Sequence, residues 1–141
     1  QPGKLTVCGE KLDLGQLTLP VYIYGSREDH IVPINAAYAS TQVLPGKKRF
    51  VMGASGHIAG VINPPAKGKR SHWIRADGKL PATLDQWLEG ATEHPGSWWT
   101  DWSGWLKGHA GKQIAAPKGY GKGARFKALE PAPGRYVKEK A

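Results

Sequence analysis

With 141 residues, 40% of them hydrophobic and 22% charged, the chain has the size and composition of an ordinary globular protein with a real core. No apolar run approaches the roughly 20 residues of a membrane-spanning helix, and the lone cysteine, Cys8, excludes an intramolecular disulfide framework and fits a reducing compartment. The net charge of +9 is uneven: residues 111–141 carry eight Lys/Arg against two Asp/Glu, whereas residues 1–60 carry six against four and residues 61–110 six against five. Such a basic tail either attracts phosphates, anionic surfaces or nucleic acid, or simply keeps the chain soluble.

The opening Gln1-Pro2-Gly3-Lys4 has neither an initiator Met nor an apolar signal segment and reads as the interior of a longer chain. Leu5–Cys8 and Lys11–Leu14 flank Gly9-Glu10 as a small hairpin. Val21-Tyr22-Ile23-Tyr24, β-branched and aromatic, lies between Pro20 and Gly25-Ser26 and predicts a short buried strand. Pro33 suits a first helical turn; Ile34, Ala37, Tyr38 and Thr41 follow at helical spacing to Leu44, where Pro45-Gly46 stops the pattern. Arg49–Gly53 is a second strand. Strand, helix, strand at this spacing predicts a parallel βαβ unit. Asn63 to Pro81 reads as a long Pro-, Gly- and Lys-rich excursion. Thr83 and Gln86 form a capping-box pattern for a helix with Leu84, Trp87 and Leu88 on one face, and a further helix runs from about Ser97 to Lys107. From Gly111 onward, Gly and Pro without periodicity predict an extended tail.

The chemistry-bearing residues sit where the two strands end, the region in which open parallel sheets gather functional groups. Asp29 comes five residues after Tyr24, and His57 follows the second strand in Gly53-Ala54-Ser55-Gly56-His57, 28 residues later. A capping aspartate or a turn histidine accounts for each residue alone. Together, on neighbouring strand ends, they make an acid–histidine pair, in which the carboxylate fixes the tautomer and stabilises the imidazolium. An α/β-hydrolase places its nucleophile before the acid and the histidine. No G-x-S-x-G or G-x-C-x-G occurs: Cys8 lacks the leading glycine, Ser55 is one residue short of an elbow, and both read as structural. The nucleophile is therefore expected upstream.

The segments Val21-Tyr22-Ile23-Tyr24-Gly25-Ser26-Arg27-Glu28-Asp29-His30-Ile31-Val32-Pro33 and Gly53-Ala54-Ser55-Gly56-His57-Ile58-Ala59-Gly60-Val61-Ile62-Asn63-Pro64-Pro65 closely resemble the aspartate and histidine segments of class I polyhydroxyalkanoate synthases. Gly96-Ser97-Trp98-Trp99 and Glu130-Pro131-Ala132-Pro133-Gly134-Arg135-Tyr136-Val137 resemble that family's C-terminal signatures, so the likeness spans essentially the whole chain. Ile34 departs from the family, which has Trp after the proline. The resemblance implies an α/β fold: residues 1–110 as the C-terminal portion of an α/β-hydrolase catalytic domain, and residues 111–141 as an extended basic tail. It implies an upstream cysteine nucleophile completing a Cys-His-Asp triad, and a 3-hydroxyacyl-coenzyme A substrate that carries and releases its own coenzyme A. No further cofactor and no metal site are expected. The implied enzyme is cytoplasmic, a homodimer at the surface of a polyester granule, completed by the N-terminal remainder of its own chain. The fragment alone is expected to be inactive.

On this reading His57 deprotonates the thiol, and Asp29 either orients His57 or helps deprotonate the 3-hydroxyl of an acyl unit. Ile58 and Ala59 are candidate walls of the acyl pocket, and His30, beside Asp29, is a candidate substrate contact. Lys67, Lys69 and Arg70 read as a solvated loop or as partners for coenzyme A phosphates. Trp98, Trp102 and Trp105, at i, i+4 and i+7, make one aromatic helical face, either core or a surface for the polymer or a partner. The alternative readings are an esterase or thioesterase using the same pair and, outside enzymes, a basic polyanion-binding module. The tryptophans concentrated away from the tail and the strand-end pair weigh against the latter, so nucleic acid is not an expected partner.

Overall fold

The computed structural model describes residues 3–140, so Gln1 and Pro2 of the opening segment, and Ala141, lie outside the described residues. The chain divides into two units, Gln1–His109 and Ala110–Ala141. In the first, a four-stranded sheet has the order β3 (Val21–Ser26), β4 (Lys48–Gly53), β5 (Ser71–Ile74), β6 (Thr92–Pro95). β3 and β4 are parallel in register Val21↔Lys48 to Ser26↔Gly53, while β4–β5 and β5–β6 are antiparallel. Helix α1 (Ile34–Val43) makes the crossover between β3 and β4, α2 (Leu84–Glu89) precedes β6, and α3 (Trp99–His109) follows it. The result is mixed α/β with a parallel pair at one edge of the sheet. No helix among the described residues is long and apolar enough to cross a membrane.

Period-two alternation gives the sheet two faces. Ile23, Phe50 and Met52 pack with Tyr38 of α1 and Leu84 and Trp87 of α2 into a buried cluster. Its rings meet edge to face, Tyr38–Phe50 at 4.9 Å and Phe50–Trp87 at 4.8 Å between centroids. The Tyr38 hydroxyl donates to Pro81 O at 2.7 Å, so the phenol is buried without losing its polar partner. The intervening residues Tyr22 and Tyr24 face the aromatic side chains of Trp98 and α3. Trp98 lies one residue before the helix and is buried, Trp105 meets Tyr22 at 5.5 Å, and Trp102 remains partly exposed. Of the predicted tryptophan face, Trp98 is core and Trp105 is half-buried against β3, while Trp102 is exposed.

Local patterns placed the first strands and helices well. The capping reading holds at Thr83, whose Oγ accepts from Gln86 N–H at 3.3 Å. Pro33 is the residue before the first helical position rather than within the turn. The hairpin forms one residue earlier than expected: β1 (Leu5–Val7) and β2 (Glu10–Leu12) pair across Cys8-Gly9, both at positive φ (50° and 84°), the backbone of a two-residue primed turn. The excursion from Asn63 to Pro81 is not all loop, because it contains β5, and β6 likewise went unread. Ser71-His72-Trp73-Ile74 and Thr92-Glu93-His94-Pro95 are only four residues long, and Trp73-Ile74 is the sole strand-like pair between them; they become strands by pairing with β4 and with each other.

In the second unit residues 110–140 are exposed apart from the half-buried Gly134. Its regular structure is a two-residue pairing of β7 (Gly121–Lys122) with β8 (Phe126–Lys127) and a 3-10 turn at Tyr136–Lys138, in keeping with a tail that builds little core.

Candidate active site

β3 and β4 end side by side, and the ladder continues one step beyond them: Arg27 N–H donates to Gly53 O at 2.8 Å and Glu28 N–H to Ser55 O at 3.0 Å. These bonds hold the two departing loops together. Ser55 turns its loop through a left-handed φ of 76°, after which residues 57–61 wind into a helical turn closed by Gly60 N–H to Gly56 O at 2.8 Å. Two glycines permit this convergence. A Cβ at Gly25 would stand 2.6 Å from Ile34 Cδ1 and 3.0 Å from Ala37 Cβ, so its absence lets α1 seat against β3. A Cβ at Gly60 would meet Ser26 Oγ and lie 2.7 Å from Gly56 O.

The side chains of Asp29 and His57 meet here, with Asp29 Oδ2 and His57 Nδ1 2.8 Å apart. The other carboxylate oxygen, Oδ1, accepts from Ile31 N–H at 2.8 Å and Val32 N–H at 2.9 Å. The Val32 N–H bond is the main cause holding the Asp29 pKa down to about 2 from its ordinary 3.8; burial opposes it, and His57 and the Ile31 N–H reinforce it. An aspartate so placed is ionised at neutral pH and only accepts. His57 Nδ1 must therefore carry the shared proton and donate it, which leaves Nε2 as the basic nitrogen. His57 is 41% exposed at its side chain and Asp29 8%, so the carboxylate is enclosed while the imidazole faces out.

Because folding lowers this pKa, the stabilisation from the Asp29 contacts is fully present above about pH 4 and is lost as pH falls through about 2. Titrating the Asp29 side-chain carboxyl by carbon NMR should give a midpoint near 2; a midpoint near 4 would show that the contacts do not persist in solution.

A cavity of about 170 Å³ adjoins the pair, lined by Tyr24, Ser26, Asp29, Val32, His57 and Val61 among others. The Tyr24 hydroxyl lies 3.0 Å from Ser26 Oγ, and burial raises its pKa, keeping it a neutral phenol. His30 and Ile58 are exposed, Ile58 at 73%, and with half-buried Ala59 they are not among the residues lining this cavity. Ile31, Val32, Val61 and Ile62 are also exposed, which gives the surroundings of His57 an apolar surface. Lys67, Lys69 and Arg70 are exposed, and Cys8 lies exposed in the hairpin turn. Among the described residues no group of three or more His, Cys, Asp or Glu side chains is arranged to hold a metal ion. Tyr24, Ser26 and Gly60 escaped sequence reasoning: Tyr24 reads as an ordinary strand residue, and nothing local marks the packing of Gly60 on Ser26.

An acid–histidine pair at the ends of adjacent parallel strands defines a class of site, one suited to activating a nucleophile supplied from elsewhere. No protein-family model matches the chain. Poly(3-hydroxyalkanoate) polymerase subunit PhaC of Cupriavidus necator is 66% identical over 140 residues, a match covering 99% of this chain and 23% of the relative. The protein of the same name from Rhizobium etli is 41% identical over 132 residues, 94% of this chain and 20% of the relative. Poly(3-hydroxyalkanoate) polymerase 1 of Ectopseudomonas oleovorans is 39% identical over 140 residues, 99% and 24% respectively. The chain belongs to the polyhydroxyalkanoate synthase family. It spans less than a quarter of the length of these curated relatives.

Proposed function

We propose that this chain is the C-terminal portion of an α/β-hydrolase-type polyhydroxyalkanoate synthase and supplies the histidine and aspartate of its Cys-His-Asp triad. The observation that carries this reading is the 2.8 Å contact between Asp29 and His57 at the ends of β3 and β4, within sequence 66% identical to a poly(3-hydroxyalkanoate) polymerase. The cysteine lies in the rest of the protein, and the 141 residues by themselves are inactive.

The chemistry follows from the tautomer. His57 Nε2 takes the proton of the cysteine thiol, and the thiolate attacks the thioester carbonyl of a 3-hydroxyacyl-coenzyme A. The carbon–sulfur bond to coenzyme A breaks, the leaving thiolate takes the proton held on His57, and the acyl group remains as an enzyme thioester. His57, neutral again, removes the proton from the 3-hydroxyl of an acyl unit. That oxygen attacks an acyl thioester, an ester forms, and the departing thiolate recovers the proton. Asp29 keeps the Nδ1 proton in place and offsets the positive charge each time the imidazole is doubly protonated. The substrate brings its own coenzyme A, and no other cofactor enters the scheme. In the cell, the reading places a homodimer in the cytoplasm at the granule surface. The exposed apolar side chains around His57 suit an acyl chain, with Ile58, Ala59 and His30 as candidate contacts beyond the cavity.

Polymerase and thioesterase both release coenzyme A, so the fate of the acyl group separates them. Water at ~55 M competes for the acyl-enzyme; a well-oriented hydroxyl reaches effective molarities of about 10⁵–10⁸ M and outcompetes it. Full-length protein given 3-hydroxybutyryl-coenzyme A should put most of the released acyl groups into insoluble polyester. Recovery mainly as free 3-hydroxybutyrate would replace the synthase reading with a hydrolase.

A further inference from the structure

Trp98 reads in the sequence as part of a helical stripe and Trp99 only as part of the Gly96–Trp99 signature, but their polar atoms point to another task. An indole has a single N–H donor and no acceptor. Trp98 Nε1–H donates to Gly60 O at 3.2 Å, and Trp99 Nε1–H to Val61 O at 2.9 Å. Both carbonyls belong to the helical turn that His57 opens. The Trp98 ring also stacks on Tyr24 of β3, 4.2 Å between centroids and 25° between planes. One side chain therefore joins the histidine turn to the strand that leads into Asp29.

The platform behind these rings is itself bonded to the sheet. Tyr22 O–H donates to Asp101 Oδ2 at 2.9 Å, Arg49 Nε–H donates to the same oxygen at 2.8 Å, and Arg49 Nη2 pairs with Oδ1. Burial, and after it the charge of Asp101, push the Tyr22 pKa up, so the phenol stays a donor. Burial works to raise the Asp101 pKa, but the bonds from Arg49 and Tyr22 outweigh it and the carboxylate remains ionised. α3 is thereby tied to β3 and β4, with the two indoles at its N-terminal end.

The histidine turn needs such support. It follows the left-handed Ser55, lies beyond the sheet ladder, and presents exposed Ile58, Val61 and Ile62 rather than a buried apolar face. We propose that Trp98 and Trp99 are positioning residues for His57: by holding the Gly60 and Val61 carbonyls they set the imidazole against Asp29. The proposal rests on the reading of Asp29 and His57 as a working pair.

The test uses full-length protein and 3-hydroxybutyryl-coenzyme A. Trp98→Phe and Trp99→Phe keep an aromatic ring and remove the donor. Activity is expressed per acyl-enzyme site titrated by the burst of coenzyme A release, so that misfolded protein is not counted. Each variant should lose about 10- to 100-fold in kcat with KM unchanged, the size expected for a misplacement near 1 Å. The downfield proton resonance of the His57–Asp29 bond should shift or broaden. Where a phenylalanine variant fails to fold, the benzothiophene isostere of tryptophan, the same shape without N–H, replaces it and should show the same loss. Wild-type kcat per site, with only a lower melting temperature, would overturn the proposal and leave the indoles a purely structural role. Wild-type acylation by His57→Ala would sink the underlying pair instead.

Discussion

His57→Ala in the full-length protein is expected to abolish coenzyme A release and polymer growth together. A positioned general base contributes about 10²–10⁴-fold, and in the proposed mechanism the same imidazole serves both the thiol and the 3-hydroxyl, so neither half-reaction should escape. Its Nδ1 is committed to Asp29 Oδ2 at 2.8 Å, which leaves Nε2 as the nitrogen that the proposed mechanism uses. Single-turnover measurement of acyl-enzyme formation, with folding checked by thermal melting, reads the effect directly. Retention of wild-type acylation would reject His57 as the base and would also remove the ground for treating its indole anchors as positioning groups.

Asp29→Asn is expected to slow acylation and elongation in parallel, by roughly 10²–10⁴-fold, the range for an aspartate whose task is to hold a histidine tautomer. Sequence alone left two tasks open for Asp29, orienting His57 or acting on the 3-hydroxyl. The geometry favours the first. Oδ2 faces His57 and Oδ1 is occupied by two backbone N–H groups. With a pKa of about 2, the carboxylate is a weak base for an alcohol. Asparagine in its place can turn an NH₂ toward Nδ1 and favour the tautomer that carries its proton on Nε2. Both half-reactions then suffer equally. Near-normal acylation with a selective loss of elongation would show instead that Asp29 acts on the hydroxyl.

How far the site was legible depended on whether its parts were local. Asp29 and His57 were readable because each follows a strand with a strong short-range pattern, and a helix of suitable length separates them. Parallel strands joined by one crossover are brought side by side by right-handed βαβ geometry, so their ends converge. The tryptophan anchors were not readable in the same way. Helical periodicity groups Trp98 with Trp102 and Trp105 as one face, whereas Trp98 lies before the helix and is defined by Tyr24 and by the carbonyl of Gly60, 38 residues away.

Local sequence pattern alone was enough for the parallel β3–α1–β4 unit, the Thr83 cap, the Gly- and Pro-rich character of the tail and the strand-end placement of an acid and a histidine. Each rests on interactions within a few residues or on one short crossover, where side-chain period, proline and glycine act directly on the backbone. That Ser71–Ile74 and Thr92–Pro95 are strands emerges only from their pairing, since four-residue segments this short acquire the extended form from the partners they meet. The tertiary structure also decided the Nδ1 tautomer of His57, through an Asp29 carboxylate kept ionised by the Val32 and Ile31 amides, and the hold of Trp98 and Trp99 on the histidine turn. Hydrogen-bond directions and aromatic stacking join residues distant in the chain, and they exist only once the sheet has brought those residues within about 3 to 5 Å.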